Sequence, residues 1–475
     1  MADTYPSAAK AEQTAPTKQR HKSHYLTTGS ERFSYGLYFV GQNIFYIFVY
    51  LYLSTFFLDI GIPAMTVAFA VLVVKVWDAI NDPLFGGIVD KVKFKKGKFL
   101  PWLRISLIFI PITTVLIFAI PSSLGMTTKV GWAIIGYMLW DTAYTLCDVP
   151  IFGLVTTMTD KQDERTSLMA IGRVSAMVAS VFIAVGVPSV RQAIGGWLPT
   201  ILALAVIALI TMIPICFKAK ERIAPAASEK EVGIKEMFRY LAHNKYLLIF
   251  YLALFISYGA NIQSTIGLIF ARVCLGNEGM QSLLSLFSMI PAVILGIMVP
   301  FICKKVDKFN LFFGSVVASC AMSVILYLVG YGNITAFLVV CALRGFPLGI
   351  WTITMFMFTP DCAEYGNFKT GISAPGITFS LQTFSVKLMT AVATALGSFC
   401  LGLIGYVEGE GATQAAGLAD KLWTVYALVP AIGLAIAIPI LWQYKLRDKD
   451  VAIMAKCNAG EISREEAQAS LSRSY

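Results

Sequence analysis

The stretch Lys75-Val-Trp-Asp-Ala-Ile-Asn-Asp-Pro83 decides the fold, because it puts two carboxylates inside an apolar run that reaches from Ala64 to Val89. Asp78 and Asp82 are four residues apart, so on a helix they share one face, with Lys75 just before them. A charge at the centre of a membrane span costs roughly 3 kcal/mol even on lenient insertion scales, so it faces a cavity, a partner or an ion. The pattern therefore predicts a binding site inside a membrane span.

A salt bridge between Lys75 and Asp78 is the structural alternative to a binding site. One lysine cannot neutralise two carboxylates, however, and Asn81 adds a further oxygen atom to the same stretch. Oxygen atoms are the ligands that hard cations prefer. We therefore favour a cation site.

The composition of the 475-residue chain is that of a polytopic membrane protein, because 57% of its residues are hydrophobic and only 14% are charged. The formal net charge of +10 does not indicate a nucleic-acid partner, since the basic residues lie in short segments between apolar runs. The nine cysteines are scattered singly and predict neither disulfides nor a metal site.

Apolar runs of about 20 residues, long enough to cross a hydrocarbon core of roughly 30 Å, recur about twelve times. They cover approximately 36–58, 64–89, 100–121, 131–158, 167–188, 195–217, 245–271, 282–303, 309–331, 335–360, 373–405 and 422–443. The connection 90–98 after the second run is rich in lysine, which marks the cytoplasmic side. We therefore expect an all-α, multi-pass protein of the cell inner membrane with both termini in the cytoplasm.

The longest interior polar segment divides the spans six and six. The predicted units are a cytoplasmic tail (1–33), a six-helix bundle (34–217), a cytoplasmic linker (218–244), a second six-helix bundle (245–444) and a C-terminal cytoplasmic tail (445–475). Within the linker, Glu229–Tyr240 has an amphipathic pattern that we interpret as a helix on the membrane surface.

Polar groups from three spans are predicted to meet at one depth, given about 1.5 Å of rise per residue. Asp78 and Asp82 in the second span, Asp148 in the fourth and Lys387 in the eleventh all lie near the membrane centre. Thr145 lies one turn from Asp148 on the same face. A shared cavity is the economical explanation for these buried polar groups.

Several other residues within the spans allow two interpretations. Arg344 either faces the cavity or snorkels to the membrane surface. Four amides either line the cavity or join helices by hydrogen bonds: Gln42, Asn43, Asn261 and Gln263. Three aromatic residues are candidate platforms for stacking a sugar, with ordinary packing as the alternative: Phe152, Trp351 and Tyr144.

Nothing in the sequence indicates an enzyme. The chain has no GxSxG, no phosphate-binding loop and no HExxH pattern, and its histidines lie outside the spans. Because no domain is present to use ATP, we expect an ion gradient to supply the energy.

The chain resembles the glycoside-pentoside-hexuronide:cation symporters, the branch of the major facilitator superfamily that includes the melibiose permease. The motifs that agree, in order, are Ser34–Gly36, Trp77–Gly86, Gly97–Trp102, Tyr144–Pro150, Asp160-Lys161 followed by Arg165, Glu364–Gly366 and Gln382–Lys387. The match covers essentially all the spans, and WDAINDP is specific. The resemblance implies the major facilitator fold, with about twelve helices in two six-helix bundles that alternate access.

The resemblance also implies roles for individual residues. Those that match the cation site are Asp78, Asn81, Asp82 and Thr145. Asp148 matches the aspartate that accepts hydrogen bonds from the sugar. Lys387 matches the lysine that lies near the cation site, and we also assign it to substrate binding. The other residues that we assign to substrate binding are Arg173, Phe152, Asn43, Gln382, Trp351 and Arg344. The coupling ion is Na⁺ or H⁺, with Li⁺ also possible, and no cofactor is expected.

One departure from the family bears on sugar specificity. The melibiose permease has a lysine-aspartate pair in its first span, where this chain has Gln42-Asn43, and Asp141 and Arg344 also differ. Fewer carboxylates and an extra arginine suit a pentoside or a hexuronide, whose carboxylate a guanidinium binds in a bidentate manner.

We therefore predict a sugar:cation symporter that acts as a monomer in the lipid bilayer, without a nucleic-acid partner. Two alternatives share the fold: a cation-dependent carrier of lysolipids or other amphiphiles, and a sensor that no longer transports. The intact acidic motif argues against the sensor.

Overall fold

The computed structural model of the protein describes residues 25–92, 94, 97–223, 244–371, 375–473 and 475. Two predicted features lie outside these residues: most of the N-terminal tail, up to residue 24, and the amphipathic helix over Glu229–Tyr240.

Sixteen α-helices make up the architecture of the described residues. The first six are α1 (Gly29–Asp59), α2 (Ala64–Lys91), α3 (Leu100–Phe118), α4 (Met126–Met158), α5 (Gln162–Ile194) and α6 (Trp197–Lys218). The next eight are α7 (Lys245–Gly259), α8 (Gln263–Cys274), α9 (Met280–Ile302), α10 (Lys308–Val329), α11 (Ile334–Thr354), α12 (Phe358–Thr370), α13 (Pro375–Ile404) and α14 (Leu418–Leu441). The last two, α15 (Asp448–Asn458) and α16 (Arg464–Ser470), are short.

The predicted number of membrane spans is confirmed. Ten helical stretches of the described chain are long and apolar enough to cross a membrane, and Met280–Gly296 is a shorter apolar stretch. With 33 residues, α4 is also long enough, since each residue adds about 1.5 Å. Two predicted spans are not straight: 245–271 is interrupted between α7 and α8, and a 3₁₀ turn at Met355–Met357 joins α11 to α12.

The helices form two bundles, with α1–α6 in the first and α7–α14 in the second. The bundles meet where α2 packs on α13, α5 on α9 and α1 on α8. Within the first bundle, Gly41 lets α1 approach α6 closely, because a methyl group there would lie 2.5 Å from the carbonyl oxygen of Ala208.

Connectivity gives the bundles two distinct ends. We call the end with residues 25–28, the α4–α5 connection and the C-terminal helices the terminal face. The opposite end, with the α1–α2 and α13–α14 connections, we call the hairpin face. The hydrogen bonds and ion pairs that we describe between the bundles lie at mid-depth and at the hairpin face.

The C-terminal segment, predicted as a tail over 445–475, is folded onto the terminal face. Its helix α15 packs on α12. The Asp450 carboxylate accepts hydrogen bonds from the Ser472 amide at 2.8 Å and hydroxyl at 2.6 Å, and from the Tyr475 hydroxyl at 2.6 Å. Burial opposes ionisation, but these bonds lower the pKa of Asp450 below its ordinary value.

Glu164 ties the segment before α1 to the α4–α5 connection. Its buried carboxylate accepts hydrogen bonds from the amides of Leu26 at 3.1 Å and Thr27 at 2.8 Å, and from the hydroxyls of Thr159 at 2.6 Å and Thr27. Burial raises the pKa of Glu164, but the bonds from Thr159 and Thr27 outweigh it and lower the pKa to about 2. The folded state therefore stabilises the ionised form of Glu164.

We expect Glu164→Gln to lower the stability of the purified protein at pH 7 by about 1–3 kcal/mol, because buried donors lose an acceptor. The folded pKa of about 2 lies below the ordinary 4.5, so the contribution of Glu164 is complete above pH 4.5 and is lost as the pH falls toward 2. Melting temperatures in detergent at pH 7 and at about pH 3 should show the gap between variant and parent closing. Glu461→Gln, at an exposed residue, is the control; a gap that is equally wide at both pH values would contradict the assignment.

Candidate ion and substrate site

Five charged side chains from α2, α4 and α13 form a row at mid-depth, which we call the charge row. The ammonium of Lys75 lies 3.9 Å from Asp141 Oδ1 and 3.2 Å from Asp78 Oδ2. The ammonium of Lys387 lies 3.3 Å from Asp78 Oδ1 and also contacts Asp82. The charges therefore alternate along the row, from Asp141 at one end to Asp82 at the other.

The two ends of the charge row differ in access. The side chains of Asp141 and Asp78 are 6% and 7% exposed, whereas those of Asp82 and Lys387 are 33% and 31% exposed. Alternation of sign offsets the cost of burying these charges in a medium of low dielectric constant. Asp82 and Lys387 are therefore the members of the charge row that solvent can reach.

The alternative to a binding site, a salt bridge between Lys75 and Asp78, describes only part of this arrangement. Lys75 does pair with Asp78, as that alternative predicts. Lys75 also faces Asp141. Asp82 instead pairs with the ammonium group of Lys387 in the other bundle. The acidic pair therefore joins the two bundles.

The four residues predicted to bind the cation form one hydrogen-bonded group. The Thr145 hydroxyl lies 3.0 Å from Asp82 Oδ1, to which it donates, and the Asn81 side-chain amide donates to Thr145 Oγ1 at 2.9 Å. Asp78 joins them through Lys387. The group supplies carboxylate, hydroxyl and amide oxygens, the donor set that suits Na⁺, and its carboxylates can also take a proton.

Asp148 lies one turn along α4 from Thr145 and is bound by Gln42 of α1. The Gln42 side-chain nitrogen donates to Asp148 Oδ1 at 2.8 Å and to the Tyr144 hydroxyl at 3.0 Å. Its Oε1 atom is buried without a hydrogen-bond donor among the described residues. A substrate hydroxyl can donate to such an atom, because an unpaired buried acceptor is costly.

Of the two neighbouring amides in α1, Gln42 contacts Asp148, whereas Asn43, the one predicted to bind the substrate, does not. Asn43 Nδ2 donates to the backbone oxygen of Phe39 in its own helix, at 2.8 Å. Gln42 instead reaches Asp148, a contact missed because residues 42 and 43 are equally polar and only packing orients them. The hydrophobic pattern contained one signal: Gln42 lies in the buried stripe of α1 with Tyr38.

Two other residues predicted to bind the substrate, Phe152 and Arg173, are exposed. Phe152, one turn beyond Asp148, contacts Phe39 edge to face with ring centroids 5.4 Å apart and is partly exposed. Arg173 on α5 is exposed and forms no hydrogen bond or ion pair with another described residue. The structure therefore does not bring Arg173 to Asp148 by a direct contact.

Gln382 and Trp351, also predicted for the substrate, carry unmatched polar atoms. Gln382 Oε1 and Trp351 Nε1 are buried without hydrogen-bond partners among the described residues. Trp351 lies in the apolar core of the second bundle, with its ring centroid 5.6 Å from that of Tyr258. Packing is thus at least one role of Trp351.

Arg344 is buried inside the second bundle. Its Nε atom donates to Ser323 Oγ at 3.0 Å, and Nη1 bonds to Gln263 Oε1. Gln263 in turn donates to the backbone oxygen of Tyr426 at 2.9 Å. The snorkelling alternative is therefore wrong, because the guanidinium finds its partners within the bundle rather than at the membrane surface.

A small cavity of about 30 Å³ adjoins the charge row. Its lining includes Lys75, with four large aromatic and three hydroxyl side chains: Tyr46, Tyr50, Tyr137, Trp140, Ser54, Thr390 and Thr394. None of the residues predicted to bind the substrate lines this cavity. It is an additional polar space beside the predicted site.

Comparison with known proteins agrees with this architecture. Residues 34–448 match the family model described as MFS/sugar transport protein. The chain is 30% identical over 440 residues to the uncharacterized symporter YjmB of Bacillus subtilis (strain 168), covering 89% of this chain and 93% of that protein. It is 27% identical over 426 residues to the glucuronide carrier protein homolog of Escherichia coli (strain K12), covering 87% and 92%.

A solved structure supports the fold independently. The crystal structure of a mutant of the nucleoside transporter NupG superposes with a TM-score of 0.63 at 15% identity, covering 88% of this chain and all of that one. The predicted fold, the resemblance and the absence of an enzymatic role are confirmed by these matches. The protein is a multi-pass membrane transporter, and the chain belongs to the MFS/sugar transport protein family.

Proposed function

We propose that the protein is a secondary active symporter, which couples the inward movement of a monovalent cation to the uptake of a sugar by alternating access. The charge row carries this proposal. Two ammonium groups, of Lys75 and Lys387, face three carboxylates, of Asp78, Asp82 and Asp141. When all five are ionised, one negative charge is left without compensation, and a bound Na⁺ or proton removes it.

Competition for Asp82 gives a physical route from ion binding to movement. Lys387 belongs to the second bundle, whereas Asp78 and Asp82 belong to the first. A cation bound between these carboxylates displaces the Lys387 ammonium and weakens the contact between α2 and α13. Ion binding thus changes the relative free energies of the two bundle arrangements.

The sugar site that we propose adjoins the cation site on α4. Asp148 and Gln42 bind the sugar hydroxyls, and Phe152 offers an aromatic face for stacking. Because Thr145 lies one turn from Asp148, an ion and a sugar bind neighbouring groups of one helix. Whatever factor the cation adds to sugar affinity, the sugar adds to cation affinity.

A glycoside, pentoside or hexuronide is the substrate class that we propose, since one relative is named a glucuronide carrier homolog. Asn43, Gln382 and Arg173 remain proposed contributors, as do Lys387, Trp351 and Arg344. Na⁺ and H⁺ remain open as coupling ions, with Li⁺ also possible. The lysine-rich connection 90–98 supports a terminal face in the cytoplasm of an inner-membrane protein, and the site is complete within a single chain.

Neutralising either carboxylate of α2 is expected to abolish cation-driven accumulation. A contact to a charged group contributes roughly 1.5–3 kcal/mol, so Asp78→Asn and Asp82→Asn should weaken gradient-driven uptake tenfold or more. The measurement is uptake of labelled glycosides, pentosides and hexuronides into proteoliposomes with an imposed Na⁺ or proton gradient. Asp420→Asn, at an exposed carboxylate, is the matched control.

Full gradient-driven uptake in both acidic-pair variants would contradict the cation site. If the parent protein accumulates no sugar with either gradient, the proposed function fails, and the amphiphile carrier becomes the better proposal.

Asp148→Ala is expected to remove sugar binding while the cation site stays intact, because Asp148 is not part of the charge row. Isothermal calorimetry with the transported sugar should show loss of the binding heat, and Na⁺ titration should be unchanged. Asp160→Ala, at an exposed residue beyond the same helix, is the control. Unaltered sugar affinity in Asp148→Ala would refute the assignment.

The contacts of Arg344 distinguish two roles for it. Since Ser323 and Gln263 already engage the guanidinium, we expect Arg344→Gln to reduce hexuronide and neutral glycoside uptake together, through loss of hydrogen bonds worth roughly 1.5–3 kcal/mol. Parallel uptake assays of the two sugar classes provide the measurement, with the exposed Arg464→Gln as control. A loss confined to hexuronides would instead indicate that Arg344 binds the substrate carboxylate.

A further inference from the structure

A second charged network joins the bundles at the hairpin face. Asp59, at the end of α1, accepts two hydrogen bonds from Arg272 of α8, at 2.5 and 3.0 Å, and lies 3.3 Å from Arg191 of α5. Arg191 also contacts Glu278 and Glu410, and Arg272 Nε lies 2.6 Å from Glu278 Oε1. Each arginine therefore pairs with acidic groups of both bundles.

The centre of this network is buried. The side chains of Asp59 and Arg191 are 1% and 4% exposed. Trp197 donates its indole N–H to Asp59 Oδ2 at 2.9 Å, and its ring lies 4.2 Å from the Arg191 guanidinium carbon. Each charged group of the network has an oppositely charged partner, although Arg191 Nε is buried without a hydrogen-bond acceptor among the described residues. Removing one partner from the buried centre leaves an uncompensated charge, which costs more than breaking an exposed ion pair.

The α13–α14 connection adds backbone hydrogen bonds to the same place. The amide of Gly409 donates to the carbonyl of Leu58, and that of Glu410 donates to the carbonyl of Asp59, both at 2.9 Å. Gly409 has a φ of 115°, a conformation that side-chain-bearing residues rarely adopt. The connection therefore pairs with the last turn of α1 in the other bundle.

Glu408 connects the α13–α14 connection to α2 by a hydrogen bond. Its Oε1 atom accepts a hydrogen bond from the Ala64 amide, at 2.9 Å, at the first residue of α2. The preceding Pro63 provides no side-chain cap, so the acceptor for this exposed helix end comes from the second bundle. As a result, α13 and the connection after it hold α2 at two depths, through Lys387 and through Glu408.

We propose that the α13–α14 connection, residues 405–411, is a latch that holds the hairpin face closed and is released whenever that face opens. The inference rests on the alternating-access part of the proposed function, since a latch requires a second, open arrangement. Glu408 and Glu410 are its key side chains, because each binds a group of the first bundle from a surface connection of the second. Water solvates the separated charges when the face opens, so both arrangements are accessible.

The test measures the distance across the hairpin face in the full-length protein in nanodiscs. Spin labels are attached to an unnatural ketone-bearing amino acid at Ser122 and Gly332, which leaves the nine native cysteines unmodified. A side chain at Gly332 meets nothing within 4 Å. Pulsed electron spin resonance then gives the populations of closed and open hairpin faces without any sugar or gradient.

Glu408→Ala combined with Glu410→Ala is the latch variant, because alanine removes both acceptors, and Glu461→Ala with Glu465→Ala is the matched control. Because Glu410 is 59% exposed and Glu408 also lies in a connection, the variant is expected to fold, which its melting temperature checks. We expect the ratio of open to closed populations to rise about tenfold in the latch variant and to stay constant in the control. Unchanged populations in a folded latch variant would overturn the proposal. Since no substrate is present, this outcome is independent of the uptake assays that test the symporter function.

Discussion

The structure depends on one constraint: carboxylates in the membrane interior have to be compensated. Asp78 and Asp82 lie on one face of α2, where Lys75 can satisfy only part of their charge. The remaining compensation comes from Lys387 of the second bundle. Because the ion pairs with Lys387 cross the interface, the free energy of compensating these carboxylates also contributes to the contact between the two bundles. A group that competes with Lys387 for the carboxylates would therefore weaken that contact.

The two bundles are joined at two depths by different chemistry. At mid-depth the contact is the charge row, whose Asp82 end is partly accessible, as the proposed exchange with a cation requires. At the hairpin face it is the buried network around Asp59, reinforced by backbone hydrogen bonds from the α13–α14 connection. Lys387 lies on α13, and the connection that follows α13 supplies Glu410 and the backbone hydrogen bonds at the hairpin face. The arrangement suits a transporter, in which binding has to alter a closed interface.

Several buried polar atoms have no hydrogen-bond partner among the described residues. The carbonyl oxygens of the Gln42 and Gln382 side chains and one oxygen of Asp141 are buried without donors among the described residues. The Gln42 nitrogen binds Asp148 and Tyr144, so its unmatched oxygen belongs to a residue in contact with the proposed sugar site. Arg344, by contrast, has its partners within the second bundle, and the geometry gives it a packing role before any role in recognition.

The sequence by itself determined the class of protein, the number of spans and the grouping of the acidic residues, because these depend on local properties: the length of apolar runs and the helical spacing of Asp78, Asn81 and Asp82. The family followed from short motifs in order. Tertiary structure decided the partners: that Gln42 rather than Asn43 binds Asp148, that Lys75 also faces Asp141, and that Asp59 meets Arg272 across more than 200 positions of the chain. Local spacing cannot supply these contacts, because they arise where helices from separate segments cross, and their rotation is set by the packing of both bundles.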